Sequence, residues 1–302
     1  MPARSWLFVP ADSEKKLGKV AATGADVVIL DLEDAVAPEN KPRARTLAHD
    51  WLVAHRTQVL SGVKQMHWVR INALDTQWWR EDLEAVMPAA PVGIVLPKSA
   101  GPDSIAQLSA EIYELENRHG LPNNSTKILA LVSETARAAA TIPAYVGASM
   151  PRLAGLTWGA EDLSAAIGAS RKRTETGGWS DTFRFVRSQT LLTAHAQGVL
   201  AIDTLHSDFR DNAGLEKIAA DARADGFDGM LAIHPAQVPI INKAFAPTEA
   251  EIARARSIVA LFEANPGAGA LQLDGDMIDQ PHLVQARKLL DEVKDDPPRR
   301  VV

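Results

Sequence analysis

The 302-residue chain contains no cysteine. That absence excludes disulfides, thiolate metal sites and cysteine nucleophiles together, and it fits a reducing compartment. Long apolar runs are missing too. No window approaches the ~20 apolar residues that a membrane span requires, so no membrane partner is expected. The start, MPARSWLFVPADSEKK, has one arginine and a short apolar stretch that runs straight into charge, which does not make a signal-peptide core. Cytoplasm is therefore the expected compartment. Positive charge is in deficit: 32 Lys and Arg against 38 Asp and Glu leave a net charge of −6. No nucleic-acid partner and no anionic membrane surface are expected, and an anionic ligand would need a local basic patch. No strand-like run is followed by a glycine-rich dinucleotide or P-loop fingerprint, so the usual cofactors of open α/β sheets lose their main support.

What the chain does have is a regular alternation. Short apolar runs that read as strands stand at WLFVP (6–10), VVILDLE (27–33), HWVRIN (67–72), GIVLPK (93–98), ILALVSE (128–134), LAGLTWG (153–159), VLAIDT (199–204) and MLAIHP (230–235). Between them lie amphipathic segments at 13–22, 42–56, 104–118, 182–196 and 215–224, with apolar positions every three to four residues. Eight such units before residue 236 match a (β/α)8 TIM barrel of the α/β class, which typically needs about 250 residues. A doubly wound open sheet is the second reading, because periodicity does not distinguish closure from openness. The expected division is a barrel over 1–245 and a C-terminal helical extension over 246–302. A helix-like segment at 237–245 follows the eighth run, and beyond it a helix-like stretch at 249–264, a Gly/Ala-rich loop and a final helix to about residue 294 make this extension a lid, an oligomer contact or both. The last residues, KDDPPRRVV, read as a frayed tail.

Several strand-like runs end on acids or other polar groups. In VVILDLED, alternation puts Ile29, Asp31 and Glu33 on one face and Leu30, Leu32 and Asp34 on the other. Arg70 and Asn72 end the third run, Lys98 the fourth, Glu134 the fifth, and Asp203 and His234 lie near the ends of the seventh and eighth. Charge beside a core is costly and usually tolerated for chemistry, and the C-terminal ends of barrel strands are where active sites form. Each residue also has a plainer reading. Asp162 suits a helix N-cap, Arg70 an ordinary ion pair, Lys98 an exposed strand terminus and His234 a core histidine. Taken singly these suffice, but together they would make one polar ring by many accidents. Glu134 and Asp162, without cysteine or a histidine cluster, describe an oxygen site suited to Mg²⁺, or Mn²⁺, rather than zinc. Arg70, fork-shaped and always charged, suits a substrate carboxylate or a developing enolate oxygen.

With RSWLFVPADSEKKLGKV, GADVVILDLEDAVAPENK, VRIN, LPKS, VSETARA, WGAEDLSAAIGA, GVLAIDT, GFDGMLAIHPAQVPIINKAFAPTEAEI and DGDMIDQPHLVQAR in this order from residue 4 to residue 287, the chain resembles the citrate lyase β-subunit-like proteins of the HpcH/HpaI aldolase superfamily, relatives of malyl-CoA and citramalyl-CoA lyases. LDLEDAV, GAEDL and AIHPAQ together are specific to it. The resemblance implies a homo-oligomeric barrel, a trimer or hexamer. It implies Mg²⁺ held by Glu134 and Asp162, with Glu33 and Asp34 holding metal-bound waters. Arg70 would bind substrate and polarise its carbonyl, and Asp279 of GDMIDQPH would be the acid/base, delivered by the C-terminal segment to a neighbouring subunit. The implied reaction is reversible carbon–carbon cleavage of a 3-hydroxyacyl-CoA thioester to an acyl-CoA and a 2-oxo acid. For the CoA moiety, Lys16 and Lys19 are candidate cations, as are Arg171, Lys172 and Arg173, though the last three also read as a solvated loop. The chain departs from the pattern in three places. Ala11 stands where glycine is common, Phe227-Asp228-Gly229-Met230 lacks a lysine, and the bulk of Trp158 is expected to bear on which oxo acid fits. A CoA-independent 4-hydroxy-2-oxo acid aldolase, and a citrate lyase β subunit acting on a citryl thioester of an acyl-carrier protein, are the alternatives.

Overall fold

The computed structural model describes residues 3–60 and 65–294. Eight parallel strands, β1 (Ser5–Pro10), β2 (Val27–Asp31), β3 (Met66–Arg70), β4 (Gly93–Leu96), β5 (Lys127–Leu131), β6 (Leu153–Thr157), β7 (Leu200–Asp203) and β8 (Gly229–Ala232), close in sequence order into a barrel. The register across the closure pairs Trp6 with Leu231 on one side and with Val27 on the other. The (β/α)8 barrel is thus observed, and the open sheet is excluded by the β1–β8 pairing. Strand β1 ends at its sequence-based limit, and each of the other seven ends one to three residues before its own. The acids expected to finish the strands therefore stand mostly on the loops that follow.

Helices α1 (Glu14–Val20), α2 (Lys41–Leu60), α3 (Trp79–Val86), α4 (Pro102–Arg118), α5 (Ala136–Ala140), α6 (Ala160–Ile167), α7 (Asp181–Gln197), α8 (Asn212–Asp225) and α9 (Gln237–Ala244) follow the strands. The three helices not expected, α3, α5 and α6, are eight residues or fewer, too short for a periodic pattern to stand out.

Strands buried on both faces need no polar alternation, and here the two faces build two apolar layers. Trp6, Val27, Ile29, Trp68, Val95, Leu129, Leu131, Ile202 and Leu231 fill the barrel. Residues such as Leu7, Val28, Leu30, Val69, Ile94, Ile128 and Leu156 face the helices. Inside, Trp6 and Trp68 meet edge to face with ring centroids 5.1 Å apart, an arrangement the ring quadrupoles favour. Trp68 has room because Gly93 stands opposite it: a Cβ there would lie 2.3 Å from the indole ring.

A second compact unit contains the described chain over 246–294. Its α10 (Glu249–Ala264) starts with a capping box in which Thr248 and Glu251 satisfy each other's backbone N–H groups, which fixes the helix start. The strands β9 (Ala270–Leu273) and β10 (Asp276–Asp279) pair antiparallel through Asp274 and Gly275, both with positive φ, as a two-residue hairpin turn of right-handed strands requires. Helix α11 (Gln280–Lys294) completes the unit, with Ile258, Phe262, Ile278 and Leu283 in its core. The extension expected to be helical thus carries a hairpin, and the DG pair between LQL and DMID was its signal. The tail read as frayed lies outside the described residues.

Two outcomes test this packing. Gly93→Ala should lower unfolding free energy by about 1–3 kcal/mol in urea titrations, because a boxed-in indole cannot yield to an added methyl. His67, buried on the outer face of β3 against Trp51 at 4.7 Å, has its pKa pushed down to about 4 by burial, helped by the neighbouring His55. Between pH 6.5 and 4 the unfolded chain takes up a proton that folded His67 refuses, so its contribution to stability is present above pH 6.5 and lost as pH falls toward 4. His67→Phe should flatten the acid limb of a stability–pH curve by about 1–2 kcal/mol, after allowance for solvent screening.

Candidate active site

The C-terminal ends of the strands surround a cavity of about 50 Å³ lined by Phe8, Arg70, Leu131, Glu134, Trp158, Gly159, Ala160, Glu161, Asp162, Thr204, Leu205 and Leu231. Arg70, Glu134 and Asp162, expected to act together from sequence, are brought to this one cavity by β3, by the loop after β5 and by the first turn of α6. Asp162 is the third residue of that helix, whose N-cap is Gly159. Asp162 is therefore not the cap, and its carboxylate gains from the positive end of the helix dipole.

Arg70 is held on two sides. Its Nε and one terminal nitrogen donate to the two oxygens of Asp31 at 2.8 and 2.7 Å, a bidentate pair that leaves the guanidinium little freedom. Its other terminal nitrogen lies 3.0 Å from Glu33 Oε2, and the guanidinium covers the Phe8 ring at 4.7 Å. Burial works against the Arg70 charge, but Asp31, Glu33 and Glu134 more than offset it and raise its pKa. Asp31 is the partner that the sequence reasoning left out of the site. Its signal was present: VVILD and HWVR are parallel neighbours, and the register sets Asp31 beside Arg70.

Glu33 and Asp34 lie beyond the end of β2, so alternation does not govern them. Glu33 is buried; Lys98 Nζ donates to its Oε1 at 2.5 Å and lies 3.5 Å from Asp34. Burial raises the Glu33 pKa, against the pull of Arg70 and Lys98. Lys98 is not the exposed strand terminus of the plainer reading. It sits at φ 51°, a left-handed conformation uncommon without glycine, and its backbone N–H donates to Glu134 Oε2 at 2.6 Å. Buried Lys41, also unforeseen, donates to the carbonyls of Leu32 and Glu33 at 2.9 and 3.1 Å and to Asn72 Oδ1 at 2.7 Å. Asn72 in turn donates to Leu32 O and Asp82. This network holds the LDLED turn by its backbone.

Glu134 is 3 % exposed, and its pKa is pushed up to about 8 by burial first and then by the charges of Glu33 and Asp162, against Arg70. Gly159 permits this closeness, since a Cβ there would stand 3.1 Å from Glu134 Cγ. Its N–H also donates to Ser133 Oγ at 3.0 Å, which ties the two carboxylate-bearing loops together. No group of three or more His, Cys, Asp or Glu side chains among the described residues is placed to hold a metal. Mg²⁺ needs no such group, since it commonly takes one or two carboxylates and fills its octahedron with water and substrate oxygens. Glu134 and Asp162 fit that pattern, because a buried carboxylate destabilised by a neighbouring carboxylate is relieved by a cation between them.

Of the other expected residues, Trp158 alone belongs to this cavity's lining. Trp158 lines the cavity, yet its indole is fully buried, edge to face with Trp179 at 5.0 Å and donating to Asp203 Oδ1 at 2.7 Å. Asp203 is itself clamped by Arg187. His234 is exposed and stacks on Phe209, so it is not a core histidine. Lys16 and Lys19 are exposed on α1 and do not line the cavity. Arg171 is exposed, Lys172 pairs with Glu161, and Arg173 lies over the Trp179 ring. Asp279 ends β10 in the C-terminal unit, with its Oδ1 2.5 Å from His282 Nδ1.

A closed (β/α)8 barrel with a carboxylate–arginine cavity at its C-terminal face is the architecture of a barrel enzyme, here a carbon–carbon lyase. The chain belongs to the HpcH/HpaI aldolase/citrate lyase family, whose model matches residues 4–235. A citrate lyase subunit beta-like protein of Mycobacterium tuberculosis is 41% identical over 285 residues, 94% of this chain and 93% of the relative. A (3S)-malyl-CoA thioesterase of Cereibacter sphaeroides is 34% identical over 298 residues, 96% of this chain and 94% of that protein. Among solved structures, CitE from M. tuberculosis in complex with magnesium, acetoacetate and coenzyme A superposes with a TM-score of 0.78 at 37% identity, covering 97% of this chain and 99% of that one. No helix among the described residues is long and apolar enough to cross a membrane.

The double clamp on Arg70 makes a direct prediction. Arg70→Met leaves Asp31 buried without its cation and Glu33 with Lys98 alone, and should cost about 3–5 kcal/mol in urea unfolding. Arg70→Lys should cost less, because it keeps the charge and loses the fork.

Proposed function

We propose that the protein is a Mg²⁺-dependent lyase that reversibly cleaves a 3-hydroxyacyl-CoA, of the malyl-CoA or citramalyl-CoA kind, to an acyl-CoA and a 2-oxo acid through a thioester enolate. The observation that carries this reading is the convergence of Arg70, Glu134 and Asp162 on one cavity. Glu134 and Asp162 would hold the Mg²⁺, or Mn²⁺ in its place. When bound, the ion supplies Lewis-acid polarisation of the oxo-acid oxygens. Glu33 and Asp34, one step out, would accept hydrogen bonds from metal-bound water.

Arg70 keeps its charge at any working pH, and its clamp on Asp31 leaves N–H groups free on its terminal nitrogens. It would bind the thioester carbonyl and stabilise the oxygen that becomes negative as the C2–C3 bond breaks. In cleavage the C3 hydroxyl gives its proton to water as its oxygen becomes the carbonyl of the 2-oxo acid. The C2–C3 bonding pair passes to C2 as the thioester enolate, and Asp279 gives C2 a proton. In condensation the Asp279 carboxylate removes the same proton. The segment 246–302 would then be the part that delivers Asp279, to a neighbouring barrel in a homotrimer or hexamer, with 1–245 as the catalytic domain. Lys16 and Lys19 would meet the CoA phosphates from the exposed face of α1.

A second reading, a β subunit acting on a citryl thioester of an acyl-carrier protein, is favoured by relatives such as the citrate lyase subunit beta of Escherichia coli, 32% identical over 289 residues. Thioester hydrolysis and CoA-free aldol cleavage complete the alternatives. One assay separates them. Malyl-CoA and citramalyl-CoA should release acyl-CoA and oxo acid with Mg²⁺, lose turnover in EDTA and regain it on adding back Mg²⁺. Cleavage of free 4-hydroxy-2-oxo acids, or activity only with a carrier protein, would replace the proposal with the corresponding alternative.

A further inference from the structure

Asp279 has a second titratable group set against it. It is the last residue of β10, and His282 is the third residue of α11. Ile278 and Leu283, 1% and 5% exposed in the core of the C-terminal unit, pin this stretch at both ends. The side chains of Asp279 and His282 stay 34% and 43% exposed. His282 Nδ1 stands 2.5 Å from Asp279 Oδ1 and 3.3 Å from the Asp279 backbone N. The longer contact has the form of half a capping box, the plainer role for a side chain at this helix position. It lies beyond the about 3.2 Å that N–H hydrogen bonds commonly reach. The other half is absent, since among the described residues no backbone N–H of α11 donates to the Asp279 carboxylate. The imidazole therefore serves the carboxyl rather than the helix start. Oδ2 of Asp279 and Nε2 of His282 have no protein partner among the described residues.

An acid/base carboxyl must be held in one direction while it gains and loses a proton. A lysine or arginine beside it would favour the carboxylate and oppose the acid. A neutral imidazole orients without forcing either form, because Nδ1–H donates to Oδ1 whether or not Oδ2 carries a proton. We infer that His282 is a positioning residue for the reaction, given Asp279 as the acid/base. It fixes the carboxyl through Oδ1 and leaves Oδ2 to exchange a proton with the thioester carbon. In cleavage the Oδ2 proton passes to C2, and in condensation the C2 proton passes to Oδ2. The Nδ1–H···Oδ1 bond stands in both directions. Both residues belong to one short stretch, so the alignment is set within the segment before any barrel is met.

Proton exchange separates this inference from the reading of Asp279 beneath it. The full-length protein with Mg²⁺ is assayed for cleavage of malyl-CoA and citramalyl-CoA, and by NMR for deuterium uptake at C2 of acetyl-CoA in heavy water. His282→Leu should lower kcat and deuterium uptake by about ten- to a hundredfold, the scale of a lost alignment. KM and the urea unfolding midpoint should stay unchanged. His282→Asn should restore most of both rates, because its amide reaches the Nδ1 position and donates there. Asp279→Asn should abolish both. Unchanged rates in His282→Leu, or His282→Asn as slow as His282→Leu, overturn the inference and leave Asp279 as the acid/base. So does a loss in His282→Leu that comes with a raised KM or a lower midpoint, the mark of a merely structural histidine. Full rates in Asp279→Asn, or neither cleavage nor uptake by the native protein, overturn both.

Discussion

Arg70 stands where two opposed requirements meet. The inside of a closed barrel admits side chains that water cannot reach, so a fixed positive charge at its end survives only with partners of opposite sign. Asp31 supplies both oxygens in a planar fork and Glu33 adds a third contact. Those acids in turn need more cation than one guanidinium provides, and Lys98 completes the balance. The cluster is thus a set of charges that stabilise one another and are individually costly. It fixes the direction of Arg70, the shape of the LDLED turn and, through the Lys98 backbone, one oxygen of Glu134.

The neighbouring carboxylates are left in the opposite state. Glu134 and Asp162 line one cavity, and burial, with the charges of Glu33 and Asp162, raises Glu134 far above an ordinary carboxylate against the pull of Arg70. One group is satisfied and rigid, while the other is crowded and short of positive charge. Rigidity suits residues that position a substrate, and the deficit suits residues that bind a divalent cation. The apolar layers hold this contrast in place. Trp6 and Trp68 plug the barrel below the site, and Lys41 and Asn72 fasten the acidic turn by its carbonyls without spending its side chains.

The fold was open to reading because its signals are local. An apolar run of four or five residues followed by an amphipathic stretch marks a strand and its helix wherever it occurs, and eight repeats leave few architectures. Strand ends were read too long, since Leu32, Ile71 and Val132 are as apolar as the strands they follow although the ladder has already ended. Three short helices and the hairpin escaped for want of length. In the site, Glu134, Asp162 and Arg70 were legible as strand-end charges. Asp31 was overlooked because its value lies in register with Arg70, and Lys41 because its ammonium points back to carbonyls eight and nine residues away.

The amino-acid order by itself determined the alternating layers, the acid-rich strand ends, the absence of thiol chemistry and the membership of a lyase family, all properties carried by residue type and spacing along the chain. Tertiary structure alone decided which acids are satisfied and which are left crowded. The same carboxyl group is a structural anchor beside a guanidinium and a cation site beside another carboxylate. Closure also set β8 against β1 and so brought Phe8, Leu231 and Leu205, far apart in sequence, into the lining of one cavity. Coulomb energy and desolvation depend on distances in space, and chain order does not supply those distances until the barrel is closed.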